Sequence, residues 1–147
     1  MDFKAKRMCV DGEYFRAQIW DTAGKERFRT VIQNIYNYSK TIKGYIILFA
    51  LNDRKSFDAI PTFVTEIKKR NPNGLIFIAK NKCDVSSTEI AVTEDEIQSL
   101  SESLGIKVFN GDAKKEEVVN ALMESCYREI LKKEKTEPKD SSQVDYQ

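Results

Sequence analysis

The chain has 147 residues with 24 basic and 23 acidic side chains, which leaves a net charge of +1. Its length suits a single domain, and 41% apolar with 32% charged residues is the composition of an ordinary globular protein. The near-neutral charge argues against a dedicated nucleic-acid binder. The longest apolar run, Tyr45–Leu51, is far shorter than the roughly 20 residues that a bilayer span needs. Met1–Lys4 lacks the apolar stretch of a signal peptide.

The numbers of cysteines and histidines limit which covalent bonds and catalytic groups the chain can use. The three cysteines, Cys9, Cys83 and Cys126, are scattered, so we expect no disulfide framework and a reducing compartment. Histidine is absent from the sequence, which removes the commonest general base and the partner of most nucleophilic serines and cysteines. Any reaction would therefore depend on carboxylates, lysines, backbone amides or a bound metal.

The first elements form a predicted hairpin. Two strand-like segments, Phe3–Val10 and Tyr14–Asp21, flank Asp11-Gly12, and Asp-Gly between such segments is a strong signal for a tight hairpin turn. A less regular pattern over Arg29–Lys40 is interpreted as a helix.

Three apolar runs follow and predict a parallel sheet. They cover Tyr45–Leu51, Leu75–Ala79 and the shorter Lys107–Phe109. An uninterrupted apolar strand is typical of burial on both faces, which is the usual condition of a strand in a parallel sheet.

Helical patterns separate these strands. A stripe beginning at Ile60 predicts a helix with Pro61 in its first turn, ended by the segment Asn71–Gly74. Thr93-x-x-Glu96 is a capping box that opens a helix ending before Gly105. The last helix has a long apolar face from Val118 to Leu131.

This order predicts an α/β fold with a mostly parallel sheet and one antiparallel edge strand. We expect one domain over residues 1–135 and a polar, solvated C-terminal tail over residues 136–147.

Asn81-Lys82-Cys83-Asp84 stands where a buried strand ends, which is where α/β sheets place ligands. The Asp84 carboxylate can accept two hydrogen bonds from guanine, N1–H and the exocyclic amine, whereas adenine offers no such pair. Asn81 can tie neighbouring loops together, and the Lys82 stem can lie over the base. A plain polar turn after a strand is the alternative interpretation.

Two further segments lie at or after the ends of predicted strands, and both strengthen the interpretation that the chain binds a nucleotide. In Trp20–Gly24, Asp21 can hold a magnesium-bound water and the Gly24 amide can approach a phosphate oxygen. After the third apolar run, the Ala113 amide could meet guanine O6, with Lys114 beside the base.

The segment Gln18–Thr30 (QIWDTAGKERFRT) resembles the Rab branch of the Ras-like small GTPases, as does the segment Asn81–Asp84. The start Met1–Lys4 and the pair Ser56-Phe57 match as well, and the resemblance extends to about Lys133. It implies a P-loop NTPase-like G domain that binds GTP or GDP with Mg²⁺ and switches partners in vesicle traffic. It also implies a cytoplasmic monomer, transiently at endomembranes, that binds Rab-type effectors or regulators.

Several features depart from that family. The phosphate-loop pattern G-x-x-x-x-G-K-[ST] is absent from the sequence, and the family's first strand, first helix and most of switch I have no counterpart. Lys25 stands where the family usually has a water-orienting Gln, Lys80 where it has Gly, and Asp112 where it has Ser. The segment Asn34–Lys43 is about three residues longer than the family spacing. No cysteine near the C-terminus offers a prenyl anchor.

Three hypotheses remain open: a Rab-like GTPase whose chain is short at the N-terminus, a pseudo-GTPase that binds partners without turnover, and a non-functional fragment. For this chain we expect weak guanine-nucleotide binding and no measurable hydrolysis, with Lys25 inactive as a catalytic residue. Family effectors bind an aromatic triad, for which the candidates here are Phe3, Trp20 and Tyr36 or Tyr38. Core packing is the alternative role for these aromatic residues.

Overall fold

The computed structural model describes residues 2–21 and 41–136, with side chains from Lys4 onward. The strands are β1 (Asp2–Val10), β2 (Glu13–Asp21), β3 (Gly44–Ala50), β4 (Leu75–Asn81) and β5 (Val108–Asn110). The helices are α1 (Arg54–Asp58), α2 (Ile60–Arg70), α3 (Glu94–Leu104) and α4 (Glu116–Thr136). The predicted helix over Arg29–Lys40 and the tail beyond Thr136 lie outside the described residues.

β1 and β2 form the predicted hairpin. They pair antiparallel in one unbroken register from Asp2 opposite Asp21 to Val10 opposite Glu13. At the turn, Asp11 has φ 52° and Gly12 has φ 82°. Positive φ at both central residues is the signature of the turn whose twist matches two paired strands, and Asp-Gly is a preferred sequence for it.

β3, β4 and β5 form a parallel sheet in that order, with β5 at one edge. The α/β class is therefore confirmed. The hairpin is a separate sheet rather than an edge strand of the parallel one, and within residues 2–21 and 41–136 no strand lies between β2 and β3.

Helices cover both faces of the parallel sheet. On one face, Phe49 and Ile78 join a core with Ile60 and Val64 of α2 and with Val92 before α3. On the other face, residues of β4 pack against α4 in a smaller cluster made up of Phe77, Ala79, Leu122 and Cys126. The sheet is thus the middle layer of the described structure.

The two long apolar strands differ in burial. β4 is buried on both faces, because Phe77, Ile78 and Ala79 are consecutive residues and each is at most 5% exposed. The prediction of burial on both faces is wrong for β3, where Ile46 is 37% and Leu48 is 57% exposed. These two side chains lie on the same face of the sheet as α4. They stay exposed because α4 packs over β4 and because β3 is an edge strand in the described part of the chain.

The helices follow the sequence signals closely. α2 carries Pro61 in its first turn and ends at Arg70, and α3 has both hydrogen bonds of the Thr93–Glu96 capping box. α1 was not predicted; its N-terminus is capped by the Asp53 carboxylate, which accepts from the amides of Lys55 and Ser56. No helix in the described ranges has the length and apolar character to cross a membrane.

α4 joins the two sheets. The Phe15 ring of β2 lies 4.8 Å from the Tyr127 ring, measured between centroids. Arg128 donates to the Asp11 carboxylate at 3.1 Å, and Lys6 donates to Asn120 at 3.3 Å. Because α4 also packs on β4, it fixes the hairpin relative to the parallel sheet.

Candidate functional site

The candidate site lies at the carboxyl ends of β4 and β5. β4 ends at Asn81, and the loop after β5 carries Asp112, Ala113 and Lys114. Parallel strands bring their carboxyl ends to one edge of the sheet, so these two loops are neighbours. The Gly111 amide donates to the Lys80 carbonyl at 2.8 Å, which attaches the second loop to the end of β4.

Asn81 connects the two loops, as the sequence predicts. Its Oδ1 accepts a hydrogen bond from the Lys82 amide at 2.8 Å and another from the Ala113 amide at 3.1 Å. Lys82 has φ 56°, an uncommon value for a residue other than glycine, which turns the chain sharply after the strand. The side-chain nitrogen of Asn81 is left for other partners.

Asp84 and Lys114 form an ion pair across the site. Lys114 Nζ lies 2.7 Å from Asp84 Oδ2, and the side chains are 76% and 40% exposed respectively. The hydrogen bond to Lys114 lowers the pKa of the Asp84 carboxyl, and the same bond raises the pKa of Lys114. Asp84 is therefore an ionised, accessible acceptor, and a ligand that bonds to Oδ2 must compete with Lys114.

Asp112 is the buried charge of the site. It is 3% exposed, and its Oδ1 accepts from the Lys114 amide at 3.3 Å. Its Oδ2 has no hydrogen-bond partner among the described residues, and the Lys115 ammonium is 3.7 Å away. A buried carboxylate oxygen without a partner is costly. Asp112 thus places a buried carboxyl group directly before Ala113 and Lys114.

Lys80, at the end of β4, is another residue of the site that departs from the family pattern. Lys80 forms an ion pair with Glu94 of α3, with Nζ 2.5 Å from Oε1. The Cys83 thiol approaches the Lys80 carbonyl at 3.6 Å, and partial burial raises its pKa. Cys83 is consequently a weak nucleophile at neutral pH, because only the thiolate reacts.

The remaining predicted residues lie elsewhere or outside the described ranges. Asp21 is exposed at the end of β2, and Trp20 is half-buried opposite Phe3, whose side chain is not described. Gly24, Lys25, Tyr36 and Tyr38 also lie outside the described residues. Among the residues with described side chains, no group of three acidic or cysteine residues converges to hold a metal ion.

The fold is that of an α/β protein in which polar loops follow the carboxyl ends of parallel strands. Residues 1–132 match the sequence model of the Ras family. The chain therefore belongs to the Ras family.

Curated relatives agree with this assignment. The chain is 33% identical over 133 residues to the GTP-binding protein ypt2 of Schizosaccharomyces pombe, covering 90% of this chain and 64% of the relative. It is 35% identical over 115 residues to the mouse Ras-related protein Rab-3C, and this alignment covers 78% of the chain and 49% of the relative. It is 31% identical over 145 residues to the human Ras-related protein Rab-3D, and this alignment covers 97% of the chain and 64% of the relative. The chain is thus Rab-like and spans 49% to 64% of the length of these relatives.

Proposed function

We propose that this chain recognises the guanine base of GTP and GDP and acts as a nucleotide-dependent switch in vesicle traffic. The observation that carries the proposal is the convergence of four residues at one edge of the parallel sheet. The Ala113 amide reaches Asn81 at 3.1 Å, and Lys114 reaches Asp84 at 2.7 Å. The names of the relatives, a GTP-binding protein and Ras-related Rab proteins, support the same function.

Each residue of the site has a distinct role in this proposal. Asp84 accepts the two donors of the guanine edge, which adenine does not present, and so supplies the base specificity. Asn81 positions the Ala113 amide before the base binds. When the base binds, that amide turns from Asn81 to guanine O6, and Asn81 keeps its hydrogen bond from the Lys82 amide. Lys114 leaves Asp84 and lies along the base, with the Lys82 stem on the other side.

The phosphate and magnesium end of the ligand would contact other residues. Mg²⁺ would neutralise phosphate charge, and Asp21 is the candidate to hold it through a water, because Mg²⁺ commonly keeps several of its waters. Gly24 is the candidate amide for a phosphate oxygen. Since the printed sequence has no G-x-x-x-x-G-K-[ST] pattern, we expect this chain by itself to bind the nucleotide weakly.

The test is a titration of the 147-residue chain with fluorescent GDP and fluorescent ADP in the presence of Mg²⁺. We expect GDP to bind more tightly than ADP, but only weakly, with a dissociation constant in the micromolar range or higher. Asp84→Ala should abolish the preference for GDP. Asp95→Ala removes an exposed carboxylate of α3 and should leave the preference intact.

Two results would contradict this proposal. Equal affinity for the two nucleotides in the unsubstituted chain would reject guanine recognition. A sub-micromolar affinity for GDP would reject the expectation of a weakly held phosphate group.

A partner-binding module without turnover is the second candidate function. The buried Asp112 carboxylate beside the base loop favours it, because negative charge there weakens a nucleotide site. We expect no measurable phosphate release from GTP in a single-turnover experiment. Release that Lys25→Ala abolishes would instead assign Lys25 a catalytic role in stabilising phosphate charge.

Partner binding belongs to the same proposal. We expect Rab-type effectors or regulators to contact the hairpin near Phe3 and Trp20, together with Tyr36 or Tyr38. The proposed location is the cytoplasm, with transient association with endomembranes.

A further inference from the structure

The hairpin has one covered face and one exposed face. Phe15 contacts α4, and Val10 and Ala17 are buried, so even positions of β1 and odd positions of β2 face inward. The register places the alternate residues on the opposite side. We call this side the outer hairpin face. Its exposed residues are Ala5, Arg7, Cys9, Tyr14, Arg16 and Gln18, and the half-buried Trp20 lies on the same side.

Two arginines lie directly opposite each other on the outer hairpin face. Arg7 of β1 is the register partner of Arg16 of β2. Like charges at directly opposite positions of an antiparallel pair destabilise the sheet. The arrangement therefore opposes folding unless an anion neutralises it.

The arginine pair has no carboxylate partner within the described residues, unlike the other arginines there. Each of the other three arginines of that part contacts a carboxylate: Arg54 with Glu96, Arg70 with Glu66 and Arg128 with Asp11. The two arginines of the hairpin that lack a carboxylate partner among the described residues thus lie at one point of its exposed face.

We infer that the outer hairpin face binds an acidic segment of a partner protein, with a partner carboxylate held by Arg7 and Arg16. The inference rests on the proposed function in that it gives the chemistry of the partner that the switch recruits. The guanidinium group suits this role, because its planar set of donors matches a carboxylate. Tyr14, which is 85% exposed on the same face, adds aromatic contact area.

The number of charges favours a protein segment over a membrane surface or a nucleic acid. Basic clusters that bind anionic lipid usually contain about 4–8 lysines and arginines. The basic residues of the outer hairpin face are Arg7 and Arg16, because Lys4 and Lys6 occupy even positions of β1 on the inner side, where Lys6 donates to Asn120. The net charge of +1 likewise lacks the basic excess of a polyanion binder.

The first test measures peptide binding by fluorescence anisotropy with the full chain. The probe is a fluorescein-labelled peptide of alternating Glu and Thr, twelve residues long, and its comparison replaces every Glu with Gln. We expect at least tenfold tighter binding of the Glu peptide, with affinity falling as salt rises. The double variant Arg7→Gln/Arg16→Gln should bind the Glu peptide at least tenfold more weakly than the unsubstituted chain.

A matched control removes the same charge elsewhere. Lys68 and Lys69 are exposed on α2, so Lys68→Gln/Lys69→Gln should change the affinity less than twofold. Equal binding of the two peptides, no binding of the Glu peptide, or equal loss in the two double variants would overturn the inference. Tighter Arg7- and Arg16-dependent binding to phosphatidylserine vesicles than to the Glu peptide would also overturn it, in favour of a lipid surface.

Arg7→Glu separates binding from folding. It converts the like-charged pair into an opposite-charged one, so we expect an unchanged or higher melting temperature together with at least tenfold weaker peptide binding. Retained peptide binding in this variant would overturn the inference. Unselective GDP and ADP binding with intact peptide binding would reject only the proposed function, and the reverse pattern would reject only this inference.

Discussion

Gly111 leaves no room for a side chain. A Cβ atom at Gly111 would lie 2.8 Å from the Ala79 Cβ atom in the buried part of β4. We expect Gly111→Ala to lower the free energy of unfolding by about 1–3 kcal/mol, the usual effect of overpacking a core. Because Gly111 precedes Asp112 and Ala113, guanine affinity should fall as well. Urea denaturation measures the first effect, and an unchanged midpoint would show that the loop moves freely.

The three cysteines differ in accessibility. Cys126 is 3% exposed between α4 and β4, and its burial raises its pKa to about 12. Cys9 and Cys83 are exposed. At about pH 8 we expect iodoacetamide to modify Cys9 first and Cys83 more slowly in the native chain, because the Cys83 pKa is raised, while Cys126 reacts only after denaturation. Peptide mass spectrometry measures the extent of alkylation at each cysteine. Modification of Cys126 in the native chain would contradict the described packing of α4.

The sequence predicts the residues of the site better than their mutual contacts. Asn81 and Asp84 follow a buried strand, so the edge rule for parallel sheets places them near Ala113 and Lys114. The direct pairing of Lys114 with Asp84 and the burial of Asp112 were not predicted. Both depend on how two loops pack after folding, which spacing within one loop does not determine.

At the scale of elements, α3 carries a pH-sensitive cap. The Thr93 amide donates to the Glu96 carboxylate and Arg54 pairs with it, which lowers the Glu96 pKa from 4.5 to about 2. Since the folded-state pKa lies below the unfolded one, this stabilisation is present above about pH 4.5 and is lost as pH falls toward about 2. Glu96→Gln should therefore reduce the acid-induced loss of stability in that window.

The measurement is the urea midpoint between about pH 5 and pH 2. Glu102→Gln changes another exposed glutamate of α3 and should keep the pH dependence of the unsubstituted chain. An equal pH dependence in the Glu96→Gln variant and the unsubstituted chain would disprove the role of the cap.

Local signals explain which elements could be predicted. The hairpin turn and the capping box each depend on residues within four positions of one another, and both are confirmed. α1 has only five residues, and its one signal is the Asp53 cap, so no apolar periodicity develops over its length. Short elements of this kind depend on tertiary contacts, here the burial of Phe57 against Phe49.

At the scale of the molecule, α4 holds the hairpin through Tyr127. We expect Tyr127→Ala to lower the free energy of unfolding by about 2 kcal/mol, less than for a fully buried aromatic residue because the ring is half-buried. Hydrogen exchange should accelerate in β1 and β2 more than in β4. Tyr127→Phe keeps the tilted ring contact with Phe15 and should leave exchange unchanged. Uniform acceleration over all strands would contradict the bridging role of α4.

Burial is the property of the whole molecule that the sequence predicts least well. The apolar runs of β3 and β4 look alike, yet Leu48 is 57% exposed and Ile78 is fully buried. An apolar strand indicates a sheet position, but its neighbours determine how many of its faces are covered. The separation of the hairpin from the parallel sheet likewise depends on which strands lie beside one another.

The central claim is that guanine is recognised at the carboxyl ends of β4 and β5. Amide chemical shifts of the isotope-labelled chain, followed while GDP and then ADP are added, test it most directly. The proposal predicts that GDP shifts the amides of Asn81–Asp84 and of Ala113 and Lys114, and that ADP at the same concentration leaves them in place. Equal shifts with both nucleotides, or shifts confined to other segments, would contradict guanine recognition at this edge of the sheet.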